Sequence, residues 1–548
     1  MARKSVLKYL ELPVRPGQVE ATSLLNWDVQ PIEKERRTWG WTAFLSMWST
    51  GAFCMSNFQI GSSMLSLGLN WWQVLVLTLV GHILAVLLIL ASAWPGFDYA
   101  IPFPVATRSA WGHFGTVFVV LNRILLSLVW SAVQAWQGGL MVYVCLRAIW
   151  PAIDRIPNTL PASTGTNVPQ FIGFIVFFII QLPMLLLNPK RLRYLVWAGA
   201  VAGFIVELCL TAWAVATMGD SGFGTVIHDA NASKLSGSNL AWASIFCIAL
   251  TISSVTSLSM SICDYTRYTR SLKSGVWGQT LTWIPIWLGN IFGILTVAAT
   301  QRRFGAELWS VIELLMAIQT ASPTSRTRAA VFFCGLAFTM VQLGLNITGN
   351  IFSAGTDMAS LLPRYISIRR GQFIVAFVGI AINPWYLVSA ATVFLSVISG
   401  YTIFIQPFLG ILTAHYFILF RQKLKIRDLY KFHNSIYYYT FGVNWRSVVA
   451  WLCGVAPHIP GFATFVKPTI VISPGAVHLY YIAPFTGFFI AFFVSIVLGY
   501  AFRVKSQFKF VNETTKCQAI QRKEEYIDYL TNGEGAAREI MDEKDGQI

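Results

Sequence analysis

An indole and an amide stand one helical turn apart in the middle of an apolar stretch, residues 121–145, LNRILLSLVWSAVQAWQGGLMVYVC. Trp130 and Gln134 are spaced i and i+4, so a helix sets them on one face: a flat aromatic plate beside a group with two donors and an acceptor. That pair suits a small planar polar molecule, its ring stacked on the indole and its N–H and C=O edges bonded to the amide. It equally suits a Gln tied to a neighbouring helix beside a packed Trp, since membrane helices hold one another through amides.

A second pair of amides recurs in FTMVQLGLNITGNIFSAGTDM, where Asn346 and Asn350 again share one face. An unsatisfied amide in apolar surroundings costs a few kcal/mol, so both need partners, which a cavity holding a polar ligand would supply. Glu207 sits within the apolar GFIVELCLTAW. An ionisable residue at that depth marks a candidate functional site, here for coupling, although a neutral Glu hydrogen-bonded in the bundle fits the position as well. His82 reads as a satisfied packing residue. Asp264 and the arginines of DYTRYTR read as an inner-gate or topology cluster at a helix end.

The elements that must position these groups are membrane helices. The 548 residues are 55% hydrophobic and 12% charged, with a mean hydropathy of +0.58, a balance that water-soluble domains do not reach. A 14% aromatic share with 21 Trp fits interfacial anchoring at both membrane surfaces. The charged first forty residues hold no short apolar core, so no removable signal peptide is expected. The net charge of +16 is scattered among loops and tails rather than striping one helix, which speaks against nucleic acid. The eight cysteines show no metal spacing and read as small core residues, so no metal site is expected.

Twelve apolar stretches are each long enough to cross about 30 Å of hydrocarbon: 40–66, 70–94, 115–145, 168–188, 194–218, 240–263, 279–300, 329–353, 371–387, 389–420, 446–464 and 479–502. The least sharp boundary is at Asn383-Pro384-Trp385. Loops on the side of the tails carry fifteen Lys and Arg, Arg108 among them, against eight on the other side, which makes both tails cytoplasmic. The expected organisation is an N-terminal tail over 1–39, a transport domain over 40–502 and a disordered polar tail over 503–548. Asn231 lies in a sequon on the outer side, open to glycosylation.

Two stretches have reason to unwind. The first contains SMWSTGAFCMSNFQIGSS and the sixth LTISSVTSLSMS. Hydroxyls and amides there can satisfy backbone freed in a broken helix, and such backbone survives in a membrane only where it lines a cavity. Two weakened helices five apart are the pattern of an inverted-repeat carrier. The other reading is that the hydroxyls bond back to carbonyls in continuous helices.

In ERRTW (35–39), LGLNWWQ (67–73), FPVATRSAWG (103–112), LNR and VWSAVQAW (121–136), DYTRY (264–268), LLPRYISIRRGQ (361–372) and INPW (382–385), the chain resembles the nucleobase:cation symporter family 1, fungal uracil, allantoin, uridine and thiamine permease branch. The resemblance runs from about 26 to 502. It implies an all-α polytopic membrane protein of twelve transmembrane helices, a LeuT-like five-plus-five inverted repeat with two C-terminal helices. It further implies import across the plasma membrane by alternating access. The family's stacking Trp corresponds to Trp130, its hydrogen-bonding Gln to Gln134, and its binding Asn to Asn350, with Asn346 beside it. Val255 stands where some members have Lys or Trp. Gly344 and Leu345 replace hydroxyl residues that help ligate sodium in coupled relatives, which favours the proton as coupling ion, with no cofactor. Lys505, Lys516 and Lys523 are the tail positions where the resemblance implies ubiquitin attachment by a ligase. A nutrient receptor on the same fold is the alternative. No enzyme motif is present.

Overall fold

A computed structural model describes residues 8, 10–13, 21–161, 164–187, 189–219, 223, 235–305, 308–467 and 469–532. Among these residues there is no β-strand, only two isolated bridges. The helices used below are α1 (Trp41–Ala52), α2 (Met55–Ser63), α3 (Trp71–Tyr99), α4 (Phe103–Trp111), α5 (Gly115–Ile149), α6 (Val168–Met184), α7 (Pro189–Ala216), α8 (Gly237–Met260), α9 (Leu272–Thr280), α10 (Trp283–Phe304), α11 (Ser325–Leu345), α12 (Phe352–Leu361), α13 (Ile368–Ile380), α14 (Ala391–Thr413), α15 (Trp445–Val455), α16 (Ala483–Ala501), α17 (Lys505–Glu513) and α18 (Lys516–Asn532).

Each of the twelve apolar stretches is helical. Nine described helical runs are long and apolar enough to cross a membrane. The other three stretches are the first, which is split into α1 and α2, and two shorter helices: α6 with 17 residues and α13 with 13. Asn383 takes a left-handed backbone (φ 54°) and Pro384 starts a 3-10 turn before α14, which fixes the boundary between the ninth and tenth stretches.

The first helix breaks where Cys54 turns extended (φ −104°, ψ 159°) between α1 and α2. The carbonyl freed at Ala52 is caught by Asn57 Nδ2 at 2.7 Å, which also reaches the Ile286 carbonyl at 2.9 Å. Glycine makes the close approach of α10 possible: a Cβ on Gly289 would overlap the Ala52 carbonyl, and one on Gly293 the Phe58 carbonyl. The sixth stretch behaves differently. α8 runs unbroken through its Ser/Thr segment, with Thr251, Ser253, Thr256 and Ser259 each bonding the carbonyl four residues back. The interruption comes only at Ser261–Ile262, before a short turn Cys263–Thr266. The expected unwinding within that Ser/Thr run is therefore corrected: its hydroxyls serve the helix they sit on.

Two further expectations change. Arg108 is buried on α4, donating to the Leu24 carbonyl at 2.9 Å, the Leu429 carbonyl at 3.0 Å and Ser360 Oγ at 3.0 Å, so it is a structural clamp rather than a free loop charge. The tail expected to be disordered from 503 forms α17 and α18, whose Phe510, Val511, Ala519, Tyr526 and Ile527 are buried. Arg37 grips both oxygens of Glu524 at 2.9 and 3.1 Å, and Lys516 pairs with Asp98 at 2.7 Å. Partial burial raises the Glu524 carboxyl, but the Arg37 and Lys523 hydrogen bonds outweigh it and hold the group down at about 2. Lys523 is itself buried, donating to the Asp98 carbonyl at 3.1 Å, which removes it as a modification site. Asn231 lies outside the described residues.

Candidate substrate site

α5 runs for 35 residues and packs on α6, α11 and α12. Its middle carries a polar face that only other polar groups can satisfy. Gln134 Nε2 donates to Ser56 Oγ of α2 at 3.0 Å. Ser56 donates onward to Gln137 Oε1 at 2.7 Å. Gln342 Nε2 on α11 closes the ring, reaching Gln134 Oε1 at 2.7 Å and Gln137 Oε1 at 3.1 Å. Gln137 also donates to Gln59 Oε1, and Gln59 Nε2 reaches Ser310 Oγ at 3.1 Å. The half-helix after the break thus supplies Ser56 and Gln59 to the same network. One buried acceptor, Gln342 Oε1, has no donor.

Gln342, Asn346 and Asn350 follow at successive turns, and the chain over Asn346–Ile351 widens into a π-helix, a local irregularity often found at functional sites. Asn346 is fully buried, and its Nδ2 donates to the Ser131 carbonyl at 3.2 Å and Gln181 Oε1 at 2.9 Å. It therefore ties α11 to α5 and α6. Asn350 is half-buried and donates to Asn346 Oδ1 at 3.2 Å. The two amides have different situations: Asn346 is spent in the bundle, and Asn350 is the more open one. Trp130 meets α14, with the rings of Phe394 and Tyr401 set edge-on at 6.4 Å each. Tyr401 donates to the Ser253 carbonyl of α8 at 2.7 Å. The indole is thus bounded by α14 on one side, with the amide ring one turn along α5 from it.

Glu207 does not join this cluster. Fully buried on α7, it stands in electrostatic reach of Cys54 at the helix break, and neither carboxylate oxygen has a hydrogen-bond partner. His82 is satisfied as packing, by the Thr78 carbonyl at 2.8 Å and Asn290 Nδ2 at 3.3 Å.

Asp264 belongs to a buried charge cluster whose other members sequence reasoning missed. Arg123 of α5 bonds Asp357 Oδ2 of α12 through Nε at 2.5 Å and Asp264 Oδ2 through Nη2 at 3.1 Å. It also donates to the Ser353 carbonyl at 2.9 Å. Asp264 Oδ1 accepts from the Phe103 amide at 2.9 Å, whereas Asp357 Oδ1 has no partner. One guanidinium thus serves two carboxylates, joining α5, the end of the sixth stretch and α12. The signal was present as one lone charge in each of two apolar stretches, LNRILL and SAGTDM.

The family model described as "Permease for cytosine/purines, uracil, thiamine, allantoin" matches residues 31–487. The chain belongs to this permease family. Among curated relatives in Saccharomyces cerevisiae, the permease is 32% identical to an allantoin permease over 490 residues, 88% of this chain and 76% of the relative. It is 31% identical to a uracil permease over 510 residues, 90% of this chain and 80% of the relative. Among solved structures it resembles Mhp1, a nucleobase-cation-symport-1 family transporter, in a closed conformation with bromovinylhydantoin bound. That likeness has a TM-score of 0.69 and 21% identity, covering 92% of this chain and 100% of the other. The inward-facing conformation of Mhp1 matches with a TM-score of 0.65 and 22% identity over 93% of this chain and 99% of the other. The permease therefore has the LeuT-like fold, and it is a transporter rather than an enzyme.

Proposed function

We propose that this permease imports a planar nitrogen heterocycle of the uracil, allantoin, uridine or thiamine class, driven by protons, across the plasma membrane. Trp130 stacks on the ring, Gln134 and Asn350 bond its polar edges, and Asn346 holds Asn350 in place. The observation that carries this reading is the amide ring closed by Gln342 one turn from Trp130, with a buried acceptor left over that a ring N–H satisfies. Glu207, alone beside the broken helix, and the cluster around Asp264 are the seats assigned to proton coupling and inner gating. The tails 1–39 and 503–548 are cytoplasmic by the loop-charge asymmetry, flanking the transport domain 40–502. Lys505, exposed at the start of α17, and Lys516, half-buried in its pair with Asp98, are the remaining acceptors for a ubiquitin ligase.

The test is uptake in cells lacking their own permeases, with uracil, allantoin, uridine and thiamine as competitors. Trp130→Ala abolishes saturable uptake while surface protein is unchanged, and collapse of the proton gradient stops accumulation. Full transport by Trp130→Ala refutes the site, and sodium dependence at constant pH refutes proton coupling.

A further inference from the structure

A shallow cleft opens where the end of the tenth stretch, the start of α15, the end of α16 and the start of α17 meet. Three arginines line it, Arg421, Arg446 and Arg503, and no carboxylate does. Arg446 is incompletely satisfied: its Nη1 reaches Asn444 Oδ1 at 3.3 Å, while its Nε is buried without a partner. Arg503 donates through Nε to the Tyr500 carbonyl at 3.2 Å and rests over the Phe508 ring at 4.9 Å, which leaves its Nη groups free to face an anion. At the back of the cleft, His415 is 4% exposed and its Nδ1 has no partner. Arg421 and Gln422 hold successive left-handed backbones (φ 50° and 60°), a strained turn that keeps the first arginine at the rim.

The position of the cleft says what kind of anion fits. Trp445 and Phe502 pack at 5.2 Å at the ends of α15 and α16, and both are exposed, as interfacial aromatic side chains are. Beyond them, Val449 and Leu452 of α15 and Phe493 and Val497 of α16 are exposed apolar side chains on two helices that pack together. A polar, acid-free mouth with three arginines thus adjoins an open apolar surface of two membrane helices. A free phosphate would use only the first half of this arrangement, whereas a phospholipid uses both.

We propose that the cleft is a binding site for an anionic phospholipid of the cytoplasmic leaflet, its phosphate held by Arg421, Arg446 and Arg503 and its acyl chains lying along α15 and α16. The assignment to that leaflet rests on the cytoplasmic placement of the tails; binding itself depends neither on that placement nor on transport. Occupancy bridges α15, α16 and α17, and so links the membrane domain to the helical tail.

The full chain, purified in neutral detergent, is titrated with phosphatidylserine and, separately, phosphatidylcholine, reading the thermal unfolding midpoint and the bound lipid by native mass spectrometry. The expected result is a preference for phosphatidylserine that drops on the order of fivefold per arginine in Arg446→Gln and Arg503→Gln. Arg446→Lys with Arg503→Lys retains most of it, and Arg369→Gln, an exposed basic position outside the cleft, leaves it unchanged. Arg421→Gln at the exposed rim supplies the same reading if the other two variants fail to fold. The proposal is overturned if the glutamine variants keep the preference, if Arg369→Gln loses as much of it, or if millimolar inorganic phosphate reproduces the stabilisation or displaces the lipid.

Discussion

Removing Arg123 and neutralising Asp357 should have very unequal consequences, although the two side chains touch. Arg123, Asp264 and Asp357 are each at most 1% exposed, and one guanidinium bonds both carboxylates, with the buried Arg267 beside Asp264 as a second cation. Arg123→Gln leaves Asp357 buried without a cation and Asp264 with only Arg267, whose Nε donates to the Asp264 main-chain carbonyl at 3.2 Å, and breaking a buried ion pair in this way costs about 3–5 kcal/mol. Asp357→Asn instead leaves a one-to-one Arg123–Asp264 pair, with the asparagine carbonyl still able to accept from Arg123 Nε. The charge-assisted bond that weakens is worth about 1.5–3 kcal/mol, and relief of the repulsion between Asp357 and Asp264 offsets most of it, so the net change stays within about 1 kcal/mol. The double variant should be more stable than Arg123→Gln alone, because the stranded Asp357 charge is gone. Thermal unfolding of purified protein, with surface expression as a second readout, gives the order: wild type and Asp357→Asn close together, the double variant lower, Arg123→Gln lowest. If Asp357→Asn is as damaging as Arg123→Gln, or the double variant equals the sum of the singles, the description of Arg123 as the guanidinium shared by both carboxylates is wrong.

Gly289→Ala places a methyl against the Ala52 carbonyl and 2.6 Å from Asn57 Nδ2, and should cost about 1–3 kcal/mol as an overpacked contact. Gly475→Ala, with nothing within 4 Å, should be neutral in the same thermal assay. Glu524 titrates at about 2 in the folded chain against an ordinary value of 4.5, so it contributes stability that is complete above pH 4.5 and is lost as pH falls toward 2. Docking of α18, followed by hydrogen exchange of its amides, should therefore be unchanged from pH 7 to 5 and weaken below 4.5. Glu524→Gln should remove that dependence.

The sequence and the structure agree most closely where polarity was both dense and unsupported by helix-internal bonds. The first stretch was legible as a broken helix because Asn57, Gln59 and Ser56 need partners that an unbroken apolar helix does not offer, and the break supplies them. The Ser/Thr run of α8 looked the same by composition. Hydroxyls, unlike longer amides, reach the carbonyl one turn back, so residue type alone did not distinguish a broken helix from a back-bonded one. In the site, spacing on one face brought out Trp130 with Gln134 and Asn346 with Asn350. It could not show that Asn346 is spent on Ser131 and Gln181, or that Gln342 of another helix closes the amide ring, because those facts depend on which helices meet. The tail was misread for a different reason. Ala519, Tyr526 and Ile527 form a stripe at helical spacing, but the KEE cluster between them outweighed it in composition, and the stripe needs the end of the bundle to pack against.

The proposed binding mode sets a planar heterocycle between Trp130 and the amides of α5 and α11. Its most direct test is a structure of the purified permease bound to whichever heterocycle competes best for uptake. The expected density is a flat ring stacked on the Trp130 indole, its edges bonded to Gln134, Gln342 or Asn350. A ligand bound elsewhere, with Trp130 still closed against Phe394 and Tyr401, would contradict the account.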